Sequence, residues 1–179
     1  MITRIEKIAK WLQQEEVDFA FINTVPNIFY LSGITCRPYE RLFGLLIFQN
    51  IDPVLICPQL EAEHVKNSSW NYEVISYSDN EDPWKMIQEN IARKDLKPNQ
   101  FAVEKEGLSL FRVEKLQSLF PSANVTSIDE KIRSLRLIKD KNEIQLMRES
   151  AKWADFAIEI GLNALKEGRT ELEVVALIS

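Results

Sequence analysis

The chain has 179 residues, of which 45% are hydrophobic and 27% charged, and its formal net charge is −5. This composition is typical of one folded domain, or of one domain with an additional piece, and excludes an intrinsically disordered chain. The acidic balance argues against a nucleic-acid partner, and no apolar run approaches the ~20 residues that span a bilayer, so we expect neither nucleic acid nor membrane as a partner.

The amino-terminal segment predicts a helix followed by a buried strand. Thr3 and Glu6 have the spacing of a capping box, and apolar residues follow them at helical intervals until about Glu16. The short apolar run Val17–Ile22 then predicts a strand.

The next segment is interpreted as turns, followed by a hairpin. Pro26 and Gly33 flank the apolar residues Ile28–Leu31, and we expect them to divide this region into turns. Two apolar runs, Leu42–Phe48 and Val54–Cys57, are separated by a short, turn-rich connection. This pattern predicts two strands joined as a β-hairpin.

Strands and helices then alternate, which predicts an α/β fold. Because the hairpin brings in an antiparallel pair, we expect a mixed β-sheet flanked by helices, although the sequence does not fix the strand order. The predicted elements are a helix at Glu61–Lys66, a strand at Tyr72–Tyr77, a helix capped by Asp82 with Pro83 in its first turn, a strand at Phe101–Val103, a helix capped by Ser109 and ended by Pro121, a strand at Asn124–Thr126, and a helix opened by a Ser127–Glu130 capping box.

A different pattern begins at Asp140. Asp140 and Glu143 form a further capping-box pair, and a narrow apolar seam predicts one helix of about 25 residues that ends near Gly168. Thr170 opens a last helix that reaches Ser179 after barely two turns, so we expect the natural protein to continue. The seam consists of Ile144, Met147, Ala151, Ala154, Ile158, Gly161 and Leu165.

Catalytic patterns are scarce. The only histidine, His64, lies three residues after Glu61, which is half of the spacing of a di-metal carboxylate site, but a solvated histidine on a surface helix is the favoured interpretation. Paired carboxylates such as Glu104 and Glu106 are interpreted as ordinary surface residues. A nucleophile elbow and a phosphate-binding glycine loop are both absent from the sequence.

The two cysteines leave alternatives open. Cys36 and Cys57 do not have the spacing of a metal motif, and two reduced thiols in a cytoplasmic protein are favoured over a disulfide between them. The first residues also lack the pattern of a signal peptide. A free-standing enzyme that uses Cys57 with His64 is a weaker hypothesis, because Cys57 ends a strand that we expect to be buried.

Three segments resemble the creatinase/prolidase family in the order in which that family has them. Val25–Gly33 resembles its PNI-x-YL-[ST]-G run, and Ile132–Ile144 resembles the junction that leads into its catalytic domain. Glu167–Val174 is similar to a helix start inside that catalytic domain. The junction departs from the family pattern only at Lys141 and Asn142, where Pro-Glu or Glu-Glu is common.

The resemblance implies a creatinase amino-terminal domain with a ribonuclease H-like α/β fold at residues 1–131, a linker at 132–140, and the first helices of a truncated pita-bread α+β catalytic domain at 141–179. It also implies a parent protein that is an Xaa-Pro dipeptidase or aminopeptidase and binds two divalent metals, often manganese, through two aspartates, one histidine and two glutamates. Those ligands would all lie beyond the position that matches Ser179. This chain should therefore contain no catalytic or metal-binding residue and should be inactive alone.

What the family's amino-terminal domain does is indirect, since it helps to form homodimers and walls the substrate cleft. From the loop 35–41 we expect Arg37 to hold the terminal carboxylate of a dipeptide and Tyr39 to pack against the proline ring. A solvated loop with an incidental arginine is the alternative. Other parents that stay open are a creatinase-like amidinohydrolase and a catalytically inactive pita-bread protein that serves as an interaction module.

Overall fold

The computed structural model describes residues 3–178. Met1, Ile2 and Ser179, to which the predicted last helix extends, lie outside the described residues. The strands are β1 (Phe19–Ile22), β2 (Gly44–Phe48), β3 (Val54–Pro58), β4 (Glu73–Tyr77), β5 (Gln100–Val103) and β6 (Asn124–Ser127). The helices are α1 (Arg4–Gln14), α2 (Val25–Ser32), α3 (Ala62–Lys66, after a 3₁₀ turn at Gln59–Glu61), α4 (Pro83–Arg93), α5 (Leu110–Leu119), α6 (Asp129–Leu137), α7 (Lys141–Ala164) and α8 (Glu171–Ile178).

The six strands form one mixed sheet in the order β4-β3-β2-β1-β5-β6. Strand β2 runs antiparallel to both of its neighbours, and all other pairs are parallel. The predicted mixed α/β fold and the β2–β3 hairpin are therefore confirmed. One consequence for function is that five strands end at the same edge of the sheet, where β2 begins.

Helices cover both faces of this sheet, and the period of two along each strand assigns side chains to one face or the other. Ala20 and Ile22 of β1 share a core with α1, α2, α3 and α6. Phe19 and Phe21 of the same strand share a second core with α4 and α5. Because both faces are buried, the central strands are continuous apolar runs in the sequence.

The predicted caps at three helix starts are present. Thr3 and Glu6 form a full capping box in front of α1, as do Asp140 and Glu143 in front of α7. The Asp82 side chain accepts the Trp84 N–H at 2.9 Å at the start of α4. These interactions involve residues no more than three positions apart, and that is why the sequence predicts them well.

The prediction of turns at residues 26–33 is wrong, because Val25–Ser32 forms helix α2. Pro26 lies in its first turn, where the missing N–H would have no helical partner. Gly33 follows the last residue with φ of +75°, a left-handed conformation that commonly ends helices. Pro26 and Gly33, which indicated turns, therefore mark the start and the end of a helix of eight residues.

Two other caps differ from the prediction. Helix α6 begins at Asp129, so the predicted Ser127–Glu130 capping box does not form; Ser127 instead accepts the Asp129 N–H at 3.1 Å, and Glu130 pairs with Arg133. Ser109 occupies the N-cap position of α5 but makes no side-chain capping bond. Position alone predicted a cap in both places, whereas neighbouring partners decide whether the bond forms.

The chain divides into two units, one up to Leu135 and one from Arg136. In the second unit α7 and α8 contact each other, and the predicted seam is largely uncovered, with Met147 57% and Ile158 61% exposed. The division at 131 and 140 that the sequence suggested stays a prediction. Among the helices of residues 3–178, none is long and apolar enough to cross a membrane.

Candidate functional site

We name the edge at which β1, β3, β4, β5 and β6 end, and β2 begins, the carboxyl edge. In open α/β sheets, ligands usually bind just outside the carboxyl ends of the strands. The loop 35–41, which carries Arg37 and Tyr39, leads into β2 at this edge. The carboxyl edge is therefore the candidate site of the first unit.

A buried carboxylate lies at the centre of this edge. Glu104 follows β5 directly and is only 2% exposed. Its Oε2 accepts the backbone N–H groups of Asn23 at 2.6 Å and Thr24 at 2.8 Å, and its Oε1 accepts the Thr24 hydroxyl and the Asn27 amide, each at 2.5 Å. A negative charge here also faces the positive end of the α2 dipole. The interpretation of Glu104 as a surface residue is therefore wrong.

Glu104 thus caps α2 from the end of β5, the strand next to β1. This explains why α2 forms although its N-cap residue Thr24 makes no side-chain capping bond. All four hydrogen bonds use the lone pairs that a substrate or a metal would need. Its role is structural. A signal in the sequence was available, because Glu104 and Asn23 each stand directly after a buried strand in an α/β fold.

A second polar link joins Asn23 to α5. Asn23 is 8% exposed, and its Oδ1 accepts a hydrogen bond from the Arg112 guanidinium at 2.7 Å. The same guanidinium donates to the carbonyl oxygens of Glu40 and Arg41, each at 3.2 Å. One planar group therefore bridges the end of β1 and the loop before β2, in a geometry that suits the fork of an arginine.

The carbonyls of residues 40–43 are all held by side chains. After the two bonded by Arg112, the Leu42 carbonyl accepts the Tyr77 hydroxyl at 2.9 Å, and that hydroxyl accepts the Leu42 N–H at 2.6 Å. The Phe43 carbonyl accepts the Asn23 amide at 2.6 Å. Side chains from α5, from β4 and from the residue after β1 thus replace the strand partners that this segment lacks.

An exposed ion pair completes the attachment. The Arg41 guanidinium donates to both carboxylate oxygens of Asp79 at 2.8 and 2.9 Å. The hydrogen bond and charge of Arg41 hold the pKa of Asp79 below its usual value. Asp79 faces solvent and Arg41 is partly exposed, so this pair orients the loop more than it stabilises the fold. A cleft of about 440 Å³ lies beside it and is lined also by Trp84 and Phe111.

The two predicted substrate-binding residues lie just before this held segment. Arg37 is exposed, and Tyr39 is 78% exposed with φ of +52°. A left-handed backbone is unusual for a tyrosine and persists only where surrounding structure fixes it. The loop therefore presents Arg37 and Tyr39 to solvent, and the roles predicted for them stay a prediction.

The cysteines do not support the hypothesis of a thiol nucleophile. Both are free and buried, whereas His64 is exposed on α3. Burial, and the charge of Glu61 after it, raise the pKa of Cys57 to about 11 and that of Cys36 to about 12. A reactive cysteine needs the opposite shift and an accessible sulfur.

We expect iodoacetamide to modify Cys57 slowly at pH 7 in the folded chain and rapidly in urea. Since the folded pKa is raised from 9.0 to about 11, the rate should keep rising with pH until about pH 11. The stabilisation from keeping this thiol protonated is complete below pH 9 and is lost as pH rises toward 11. Alkylation followed by mass spectrometry measures both effects. Fast native modification at pH 7 would revive the Cys57–His64 enzyme.

A metal site is not found in the described part of the chain, where no group of three or more histidine, cysteine, aspartate or glutamate side chains could hold an ion. The described residues therefore do not supply the two-metal ligand set, which the resemblance places beyond the position of Ser179.

Comparison with known proteins gives consistent matches. The profile of the Creatinase/Prolidase N-terminal domain matches residues 4–138. The Xaa-Pro dipeptidase of Lactobacillus helveticus is 37% identical over 97% of this chain and 48% of its own length.

Two solved structures extend the likeness. The N-terminal domain of the Xaa-Pro dipeptidase from Lactobacillus brevis is 33% identical with a TM-score of 0.70, over 74% of this chain and 99% of that one. Recombinant prolidase from Thermococcus sibiricus is 25% identical with a TM-score of 0.83, over 98% of this chain and 47% of that one. The chain spans about half the length of the curated relatives it matches.

Proposed function

Because the chain belongs to the creatinase/prolidase N-terminal domain family, we propose that it acts as the non-catalytic amino-terminal domain of an Xaa-Pro dipeptidase or aminopeptidase. The observation that carries this proposal is the profile match over residues 4–138, supported by an alignment with an Xaa-Pro dipeptidase over 97% of the chain. In the longer protein, a second half would hydrolyse the peptide bond before proline with two divalent metals, which we propose to be manganese.

The contribution of this chain would come from the loop 35–41. We assign Arg37 to the carboxylate of the substrate, since a guanidinium binds a carboxylate with two parallel hydrogen bonds. Tyr39 would pack its ring against proline. Support comes from the exposure of both side chains and from the bonds that hold the segment after them. We further propose a cytoplasmic homodimer in which this domain walls the substrate cleft.

The purified 179-residue chain should not hydrolyse Xaa-Pro dipeptides, with or without added manganese, because its described residues offer no metal-ligand set and its buried carboxylate is saturated. Release of free proline measures turnover, and the longer protein that contains this chain serves as the positive control. Metal-dependent turnover by the chain itself would contradict the non-catalytic assignment.

The longer protein also decides between the parent types. Hydrolysis of Xaa-Pro dipeptides but not of creatine supports the peptidase. Hydrolysis of creatine would identify an amidinohydrolase instead. If the longer protein has neither activity and lacks two aspartates, a histidine and two glutamates in its second half, the domain belongs to an interaction module.

A further inference from the structure

We propose that Arg112 is a positioning residue, which holds the loop 35–41 in the shape that presents Arg37 and Tyr39 to the substrate. The proposal rests on the function proposed above, because it assumes that these two side chains contact substrate. Arg112 lies on α5, well separated in sequence from the loop, and nothing in its local sequence indicates this role.

The first step is the connection that Arg112 makes. Its guanidinium bonds the buried Asn23 on one side at 2.7 Å and two successive loop carbonyls on the other at 3.2 Å. Asn23 is itself fixed, since its N–H is bonded to Glu104 and its amide to Phe43. The loop is thereby tied to the buried hydrogen bonds of Asn23 at the carboxyl edge.

The second step is the conformation of Tyr39 beside this attachment. Tyr39 adopts φ of +52° and is 78% exposed, so its side chain has few contacts that could enforce this conformation. A local turn forms it, since the Arg41 N–H bonds the Pro38 carbonyl at 2.9 Å, and Arg112 holds that turn by bonding the carbonyls of Glu40 and Arg41. Loops held in strained conformations by surrounding bonds are typical of binding sites.

Trypsin measures the shape of this loop in the 179-residue chain directly. The bond after Arg41 is a tryptic site within the held segment, whereas the bond after Arg37 is followed by Pro38 and resists trypsin. In Arg112→Gln we expect native cleavage after Arg41 to rise about tenfold, because proteolysis follows the population of the locally open state. Tyr77→Phe, which removes the hydroxyl from Leu42, should act in the same direction.

Lys115→Gln is the matched control, since it removes the same charge from the exposed side of the same helix. It should leave cleavage after Arg41 unchanged. Cleavage at the other lysines and arginines of residues 3–135 reports on global unfolding. If Arg112→Gln is cut no faster than the wild-type chain, or is cut faster at all of these sites alike, the positioning role is overturned.

Kinetics of the longer protein provide the second readout. Arg112→Gln and Arg37→Ala should each raise KM for an Xaa-Pro dipeptide about tenfold with kcat within about twofold, the pattern of lost substrate binding, while Lys115→Gln should change neither. An unchanged KM in Arg112→Gln, with the loop opened, overturns the proposal. If the wild-type longer protein hydrolyses no Xaa-Pro peptide, the proposed function fails. The proposal for Arg112 then fails as well, even if the tryptic result confirms that Arg112 holds the loop.

Discussion

Replacing Glu104 with glutamine should lower the free energy of unfolding of the first unit by about 3 kcal/mol or more. The glutamine side chain has one oxygen where the carboxylate has two, and each carboxylate oxygen accepts two hydrogen bonds. Two donors from Asn23, Thr24 or Asn27 would then face an NH₂ group in a site that is 2% exposed. Each unsatisfied buried donor costs roughly 1–3 kcal/mol, and the favourable charge at the start of α2 is lost as well.

A urea titration followed by tryptophan fluorescence measures this change. Glu106→Gln is the matched control, because Glu106 lies two residues further on and its ion pair with Arg133 is exposed on both sides. That variant should lose no more than about 1 kcal/mol. Equal midpoints for the two variants would show that the four bonds of Glu104 do not stabilise the fold.

Replacing Gly44 with alanine should destabilise the first unit by about 2–3 kcal/mol. Gly44 begins β2, and a Cβ placed there would lie 2.5 and 2.7 Å from two atoms of the Phe21 ring. Phe21 is fully buried and lies beside Trp84, with ring centroids 6.1 Å apart, so a shift of its ring would have to displace other core side chains. Overpacking of this kind forces side chains away from their preferred rotamers.

A double-mutant cycle tests the cause as well as the size of this effect. Phe21→Leu alone leaves a cavity and should cost about 1–2 kcal/mol. Combined with Gly44→Ala it should cost clearly less than the sum, because the shorter side chain relieves the clash. Gly161→Ala in α7 is the control and should be neutral or stabilising, since its Cβ would meet its nearest neighbour at 3.6 Å. Strict additivity in the cycle would exclude the clash as the cause.

The polar residues at the carboxyl edge fall into a buried group and an exposed group. Glu104 and Asn23 are buried, and their hydrogen bonds go to the backbone and to other side chains of the domain. Arg37 and Tyr39 face solvent. Different residues are therefore buried in the hydrogen bonds of the domain and exposed to solvent, as the role proposed above for Arg37 and Tyr39 requires.

The sequence predicts the local features of this protein well. The capping boxes before α1 and α7, the proline at the start of α4 and the hairpin of β2 and β3 all depend on residues close together in the chain. Apolar runs locate the central strands, because a strand that is buried on both faces has apolar residues at successive positions. The family resemblance adds the expected domain type, and the profile match over residues 4–138 confirms it.

The errors at residues 26–33 and at Glu104 share one physical origin. At residues 26–33 the sequence showed a proline and a glycine, and it did not show the carboxylate that caps this helix from 80 residues away. For the same reason the sequence leads to the wrong interpretation of Glu104 as a surface residue, and it carries no signal for Arg112. Partners of this kind exist only after β1 and β5 pair side by side in the sheet.

By itself, then, the sequence determined most of the elements, the caps of α1, α4 and α7, the mixed α/β class and the family. Each of these follows from neighbours along the chain or from the period of apolar residues. Only the tertiary structure decided the strand order, the helical state of residues 25–32, and the bonds that hold the loop before β2. The helix and the loop depend on hydrogen bonds between buried polar groups that lie far apart in the chain. Such groups become partners only when the fold brings them close together in space.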